Sequence, residues 1–583
     1  VTAVRLQPDG AVVVAAPAYG LRVAPDGLTA VLRDPDGEHR LTLRPLAALD
    51  CVEGPDETTA VEPPRLTADG AIEVRRASTR WTRAAVRIVA HDDAIDVHTT
   101  VEGQGRLTDV RLLAARGLAP ALPGGLLPSG TSMRTLFSPN PADPARLVLG
   151  AAETAAIGVV GDAQPGRGHW FSTPAPLVVA VAPEVLDGPG PGRWTAIGLA
   201  APIAEQTFTQ VVHEGGDRAF ALRLDHEGHT RVDGAYAAPV VTVAPGQPDA
   251  VAAVARHRAD LVRLGCAPPV RTRATPAWWS APMFCGWGAQ CHLAATRGGA
   301  APDYATQEHY DAFLDHLERQ GLVPGTIVID DRWQDAYGTN GPDPRRWPDL
   351  RGWIARRHER GQRVLLWWKA WDPEGLDPAL CVRGPHGDPV AVDPTNPAAR
   401  VALAESVGQM LGPAGLDADG LKIDFTAQTP TGAGLTAHGA AWGIALLHEL
   451  LGTVHAAAKA AKADALIVTQ TPSPAFVDVT DMVRLNDMLR LDDEGPDPPV
   501  VEQMRQRARI AAAACPELLI DTDDWCVPNL AQWRQYLAAK RDLGVPALYY
   551  STHLDRTGER LEAEDYDALR RVWRQPNPRA TER

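Results

Sequence analysis

Residues 420–425 read GLKIDF, an apolar run too short for a helix and closing on a carboxylate, Asp424. In an extended strand, residues two apart share a face, so Lys422 and Asp424 project to the same side. Seven further short apolar runs resemble it: PMFCGWG (282–288), GTIVIDD (325–331), RVLLWWKA (363–370), ALIVTQ (465–470), MVRLND (482–487), ELLIDTDD (517–524) and VPALYY (545–550). Between them lie amphipathic stretches such as QEHYDAFLDHLERQG and LAQWRQYLAAKRDLG, with apolar residues at helical spacing and a terminal Gly that stops a helix. Eight strands alternating with helices predict a (β/α)8 barrel over residues 276–583, ending in the helix EAEDYDALRRVWRQ. A doubly wound open sheet is the competing arrangement, but no Gly-rich phosphate loop follows any strand.

Upstream the rhythm differs. From Val1 to about residue 245, alternating runs such as AVVVAA, GLRVAP, AVRIVA and FALRLDHEGHTRVDG are broken by Gly, Pro, Asp and Asn, the pattern of an all-β sandwich. A helical stretch, PDAVAAVARHRADLVRLG (248–265), leads into the Pro-rich APPVRTRATPAW. The expected organisation is a β-sandwich over 1–247, a helix and linker over 248–275, and the barrel over 276–583.

Composition narrows the functional classes. The 583 residues are 45% hydrophobic and 22% charged, with a formal net charge of −15, which disfavours a phosphate backbone as partner. No apolar run reaches bilayer length, and the first residues lack the charged start and apolar stretch of a secretory leader. The seven cysteines are odd in number and scattered, without a CxxC pair, which suggests reduced thiols and a cytoplasmic location. A homo-oligomer is compatible with all of this. Trp (16) outnumbers Tyr (9) and Phe (8) and crowds the second half. Indoles pack cores, and they also stack on the apolar C–H faces of sugar rings.

Catalytic residues of such barrels sit at the C-terminal ends of the strands. Here those ends carry Asp330 and Asp331, Lys369 to Asp372, Asp424, Asp487, then Asp521, Asp523 and Asp524, with His553 and Asp555 after the last strand. Carboxylates converging on one mouth repel one another, so a functional use is indicated. Two chemistries employ such rings, divalent-metal hydrolysis and glycoside hydrolysis. The strands bring no HxH or HExxH ligand pair, and aromatic residues and Lys flank the carboxylates, which favours a sugar site without metal or organic cofactor. Lys422 beside Asp424 favours the ionised form that a nucleophile requires. Asp478, Asp481 and Asp487 are candidates for the acid. Asp478 falls in a loop, Asp481 enters its strand at the wrong end, and Asp487 closes the strand at the catalytic face just after Arg484.

At these residues the chain resembles glycoside hydrolase clan D, the retaining enzymes that include the α-galactosidases of families 27 and 36 and the α-glucosidases of family 31. Ile329-Asp330-Asp331-Arg332-Trp333 resembles the clan's IDDxW segment, Leu421-Lys422-Ile423-Asp424 its nucleophile segment, and Arg484 to Asp487 its acid/base segment. Asp521 to Trp525 falls where a further sugar-contacting carboxylate is found, and Trp287 in CGWG matches a pocket-wall Trp. The large β-region ahead of the barrel is more similar to families 36 and 31 than to family 27. TQTPSPAF on strand five and LLWWKAWDPEG on strand three depart from the family 36 pattern. The resemblance implies a retaining α-glycosidase, α-galactosidase-like in the first instance. Asp424 would be nucleophile and Asp487 acid/base, with Asp330, Asp331, Lys422, Arg484, Gln470 and Asp524 holding a small saccharide between Trp287 and Trp368. An α-glycosidase of a pentose or another hexose, a transglycosylase resembling raffinose synthase and a non-catalytic carbohydrate-binding protein are the alternatives.

Overall fold

The computed structural model describes residues 1–35, 37, 40–114, 116–117, 127–128, 135–139, 148–150, 155–159, 173–183, 194–216, 219–271, 274–485, 487 and 499–574. Parts of the expected sandwich, residues 272–273 of the expected linker, Asn486 of the sixth expected strand and Gln575 of the last helix lie outside these residues.

The eight expected strands form. They are β1 (Met283–Cys285), β2 (Thr326–Ile329), β3 (Arg363–Lys369), β4 (Gly420–Asp424), β5 (Leu466–Thr469), β6 (Met482–Arg484), β7 (Leu519–Asp521) and β8 (Ala547–Leu548). They pair in parallel in the order β7-β6-β5-β4-β3-β2-β1-β8. An isolated parallel bridge from Asp521 to Val545, two residues before β8, brings β7 beside it and nearly closes the ring. The helices are α1 (Ala250–Arg263), α2 (Trp287–Arg297), α3 (Gln307–Arg319), α4 (Leu350–Glu359), α5 (Pro397–Leu411), α6 (Gly443–Ala461), α7 (Val500–Ala514), α8 (Leu530–Leu543) and α9 (Ala563–Arg574).

Side-chain caps begin several of them. Thr306, Asp349, Asn396 and Asn529 each accept a backbone N–H from the first turn of the helix that follows. The connection from β5 to β6 carries only the single 3-10 turn Pro474–Phe476, because the prolines of TPSP and the short spacing leave no room for an α-helix.

Ahead of the barrel, two antiparallel sheets form among the described residues. One has six strands in the order 3–6, 12–15, 20–23, 30–33, 40–43 and 127–128, and the other has fourteen. The larger is organised around the 18-residue strand Ile95–Leu112 and the 19-residue strand Ala219–Ala237, which pair antiparallel with a register shift between Leu107 and Asp109. Alternate residues such as Val12, Val14, Leu21, Val23, Leu41 and Leu43 are buried, and they belong to the same continuous apolar core as the barrel strands.

The β-region grips the connection from β4 to α6, and the Thr173 amide also donates to the Gln470 carbonyl after β5 (2.9 Å). The bulge of the strand Ala219–Ala237 that carries Glu227 and His229, at the register shift, reaches the β4–α6 connection. Glu227 Oε2 accepts from the Gly432 amide (2.8 Å) and from the Trp442 indole N–H (3.1 Å). His229 stacks on Trp442 with ring centroids 3.6 Å apart. The first turn of α6 then donates the amides of Ile444 and Ala445 to the carbonyls of Phe208 and Gln206. Gly443 permits this approach, since its φ is +56° and a Cβ there would stand 2.1 Å from the Phe208 carbonyl oxygen.

No described helix is long and apolar enough to cross a membrane. Among the described residues none of the cysteines is in a disulfide.

Candidate active site

The strand parity read from GLKIDF places Lys422 and Asp424 on the inner face of β4. Lys422 is buried, and its Nζ lies 2.6 Å from Asp330 Oδ2. The Cys285 thiol donates to the same oxygen at 3.0 Å, while Asp330 Oδ1 accepts the Asp331 amide. The Asp330 amide in turn donates to the Tyr310 hydroxyl. Burial alone would lower the pKa of Lys422, but Asp330 together with its other negative neighbours, Asp424 among them, outweighs it and the value is raised. Lys422 is thus an ion-pair partner of Asp330 first and a neighbour of Asp424 second.

The cation in direct contact with Asp424 is Arg484, from the end of β6. Its Nη2 lies 3.1 Å from Asp424 Oδ1 and 3.1 Å from Gln470 Oε1. Its Nη1 lies 3.3 Å from Asp487 Oδ1 and 2.9 Å from Asp523 Oδ2. One guanidinium therefore spans both candidate catalytic carboxylates, whose side chains remain 22% and 18% exposed for Asp424 and Asp487 respectively.

The two acids are pushed in opposite directions. Burial would raise the pKa of Asp424. Arg484 and Lys422, with the Phe425 amide (2.9 Å) and the Trp367 indole N–H (3.2 Å), overcome that and hold it below the ordinary carboxylate value. For Asp487 burial wins, reinforced by the charges of Asp523 and Asp424 against the pull of Arg484, and its pKa rises to about 7.

Asp487 lies three residues beyond Arg484, where β6 has already ended, rather than closing the strand as the sequence suggested. Arg507 on α7 fixes this segment by donating Nη1 to the carbonyls of Leu485 (2.7 Å) and Asp487 (2.8 Å). The other two candidates for the acid lie elsewhere. Asp478 is exposed and bonded to His448, and Asp481 is bonded to Lys459 and to the amide of Ile467 at the start of β5.

The rim is built on Asp331 and Tyr337. The Tyr337 hydroxyl donates to Asp331 Oδ1 at 2.7 Å. The Arg332 guanidinium and the Lys369 ammonium lie over the Tyr337 ring, at 4.3 and 4.5 Å from its centroid. Burial raises the pKa of Asp331 to about 6 despite that hydrogen bond. Glu374 ties the β2 and β3 loops together, pairing with Arg332 (2.7 Å) and accepting the Tyr337 amide. Trp287 opens α2, rather than lying in the strand, and meets Trp525 edge to face at 5.8 Å. Phe425 adopts a left-handed backbone (φ +59°) and is 38% exposed. For an aromatic residue this conformation costs about 1–2 kcal/mol.

Asp330, Asp331, Lys422, Asp424, Gln470, Arg484 and Asp487 thus form one connected set around the barrel mouth. Trp287 stands at the rim, and two further expected residues, Trp368 and Asp524, lie away from the set. Trp368 is level with Ile423 in the β3–β4 register and packs in the apolar core, whereas Trp367, level with Lys422, supplies the indole that bonds Asp424. A shift of one residue along a strand exchanges faces. Asp524 is fully buried against Lys540 (2.8 Å), the Trp533 indole and the Tyr549 amide, so its oxygens are engaged in joining β7, α8 and β8. The residue before it, Asp523, takes the pocket side.

Trp367 and Asp523 were within reach of strict alternation from Lys369 and Asp521. Tyr337, on an irregular loop, and Arg507, on a helix, left no such signal. Among the described residues, no group of three or more His, Cys, Asp or Glu side chains is arranged to hold a metal ion.

No protein-family model and no curated protein sequence matches the chain. Solved structures do. A GH31 family sulfoquinovosidase from E. rectale, in complex with an aza-sugar inhibitor, superposes with a TM-score of 0.58 at 10% identity, covering 96% of this chain and 82% of that one. An alpha-galactosidase from Thermus thermophilus, in complex with p-nitrophenyl alpha-D-galactopyranoside, gives 0.53 at 17% identity, covering 86% and 95%. A cycloalternan-degrading enzyme from Trueperella pyogenes gives 0.52 at 13% identity, covering 95% and 82%. At these identities the likeness is one of fold: a (β/α)8 barrel preceded by a β-rich region.

Proposed function

We propose that the chain is a retaining α-glycoside hydrolase acting on the terminal sugar of a small saccharide, α-galactosidase-like in its reactive sugar. The observation that carries this reading is the pair Asp424 and Asp487, joined by one guanidinium yet with their pKa values pushed in opposite directions. Two acids driven apart in this way are assigned as nucleophile and proton donor. The structural likeness to an alpha-galactosidase and to other enzymes acting on glycosides supports the class.

In the first step the Asp424 carboxylate attacks the anomeric carbon as Asp487 gives its proton to the glycosidic oxygen. The carbon–oxygen bond breaks, and a glycosyl ester forms on Asp424. In the second step Asp487, now ionised, takes a proton from water. The water oxygen attacks the anomeric carbon and Asp424 leaves, so the configuration is retained. Arg484 stabilises Asp424 as a carboxylate before attack and again as it departs. Asp331 and the Asp330–Lys422 pair bind the ring hydroxyls, while Trp287 flanks the sugar and Trp367 holds Asp424 through its indole N–H.

A panel of aryl α- and β-glycosides, read by anomer-resolved NMR of the first-formed product, tests the proposal. Cleavage of an α-glycoside with the α-anomer formed first is expected. A β-anomer as first product, or cleavage restricted to β-glycosides, refutes it.

A further inference from the structure

We propose that the ring of Phe425 is the platform of a second subsite, one that receives the departing half of the substrate, and that this half is itself a pyranose. The inference rests on the glycosidase reading above. Phe425 is the only aromatic side chain among the exposed large hydrophobic residues described. It immediately follows Asp424, and its amide donates to Asp424 Oδ1, so the ring position is tied to the attacking carboxylate.

One side of the ring is braced by Trp367, whose indole stands perpendicular to it at 6.1 Å between centroids. The Lys369 ammonium lies 5.4 Å from the ring centre and is itself paired with Asp372 at 2.7 Å. Lys369 and Asp372 keep 21% and 18% of their side-chain surfaces open. An apolar plate edged by an accessible donor–acceptor pair matches a pyranose, whose C–H face is apolar and whose rim carries hydroxyls.

Trp367 packs against one side of the ring, yet the ring keeps an exposed surface on a left-handed backbone. A ligand that covers that surface adds packing which the free protein lacks there. The position also selects the half of the substrate concerned. The reacting sugar must lie where Asp330, Lys422 and Arg484 are buried, so a group that meets a ring exposed at the mouth is the part left outside, which departs on cleavage.

The test compares the full-length protein and Phe425→Ala on two substrates with the same reactive sugar, an α-glycosyl fluoride and an α-linked disaccharide. The fluoride has no second ring. The ratio of kcat/KM for disaccharide over fluoride is expected to fall about tenfold in Phe425→Ala, chiefly through KM, and to stay within about twofold in Phe425→Tyr, which keeps the plate. Because a ratio does not depend on the fraction of enzyme folded, loss of stability in the variant cannot imitate the effect. An unchanged ratio in Phe425→Ala, with the wild-type protein active on both substrates, overturns the subsite. Failure of the wild-type protein to cleave any α-glycosyl fluoride overturns the glycosidase reading, and this inference with it.

Discussion

Nη2 of Arg484 stands 3.1 Å from Oδ1 of Asp424, and the other end of that guanidinium reaches Asp487. A guanidinium stays charged at every pH the fold tolerates, so its pull on Asp424 does not switch off as Asp487 titrates. Replacement by Met is expected to lower kcat/KM by about a thousandfold or more, of the order that a lost electrostatic contact to a transition state produces. It should also move the acid limb of the pH–rate profile upward, because Asp424 then needs a higher pH to ionise. A profile that keeps its acid limb would show that Asp424 is not the group titrating there.

The pH dependence of the wild-type protein follows from the two shifts. In the proposed mechanism Asp424 must be ionised, so activity rises as pH climbs through its depressed pKa. Asp487 must be protonated, so activity falls as pH passes about 7. A bell with its plateau on the acidic side of neutrality is expected in kcat/KM, and an optimum well above pH 7 would contradict it.

On the proposed mechanism, Asp487→Ala removes the proton donor and leaves the nucleophile in place. Aryl glycosides with acidic leaving groups need little protonation and should keep activity roughly a hundredfold better than disaccharides do. Equal losses on both classes would assign the acid to another residue.

Tyr337→Phe deletes one hydroxyl and leaves the ring between Arg332 and Lys369 in place. Asp331 loses a hydrogen bond that favours its charged form, so its pKa should rise further above about 6. KM near neutral pH is expected to increase about tenfold with kcat nearly unchanged, the size of one hydrogen bond to a charged group. A fall in kcat at constant KM would place Tyr337 in the chemical step instead.

Stability should also report Asp487. Its folded pKa lies above the unfolded value, so the native state binds more protons and stability declines as pH rises through the interval up to about 7. Asp487→Asn carries no charge to bury. It should therefore melt at a higher temperature than the wild-type protein at pH 8, and the difference should shrink towards pH 4. Melting curves showing the opposite trend would contradict the assignment.

How much of this was legible in the sequence differs from residue to residue. The barrel was legible because short apolar runs ending in carboxylates repeat at intervals that admit a helix, and Lys422 and Asp424 followed from the alternation of a strand. The same rule, carried one residue further, separates Trp367 from Trp368 and Asp523 from Asp524. Both choices failed because neighbouring identical residue types carry no signal of their own about which faces inward. Arg484 could be named, but its bridging of both carboxylates could not, since it depends on the distance between β4 and β6. Tyr337 and Arg507 reach the site from a loop and a helix whose positions are set by tertiary packing alone.

The clasp of Glu227 and His229 on Gly432 and Trp442 bears on how this chain can be divided. Cut away from what precedes it, the barrel would expose a large indole and strand the first amides of α6, in the segment that continues directly from Asp424. The β-rich part accordingly acts as a splint for the loop that follows Asp424, and the two parts are not separable at their boundary in sequence.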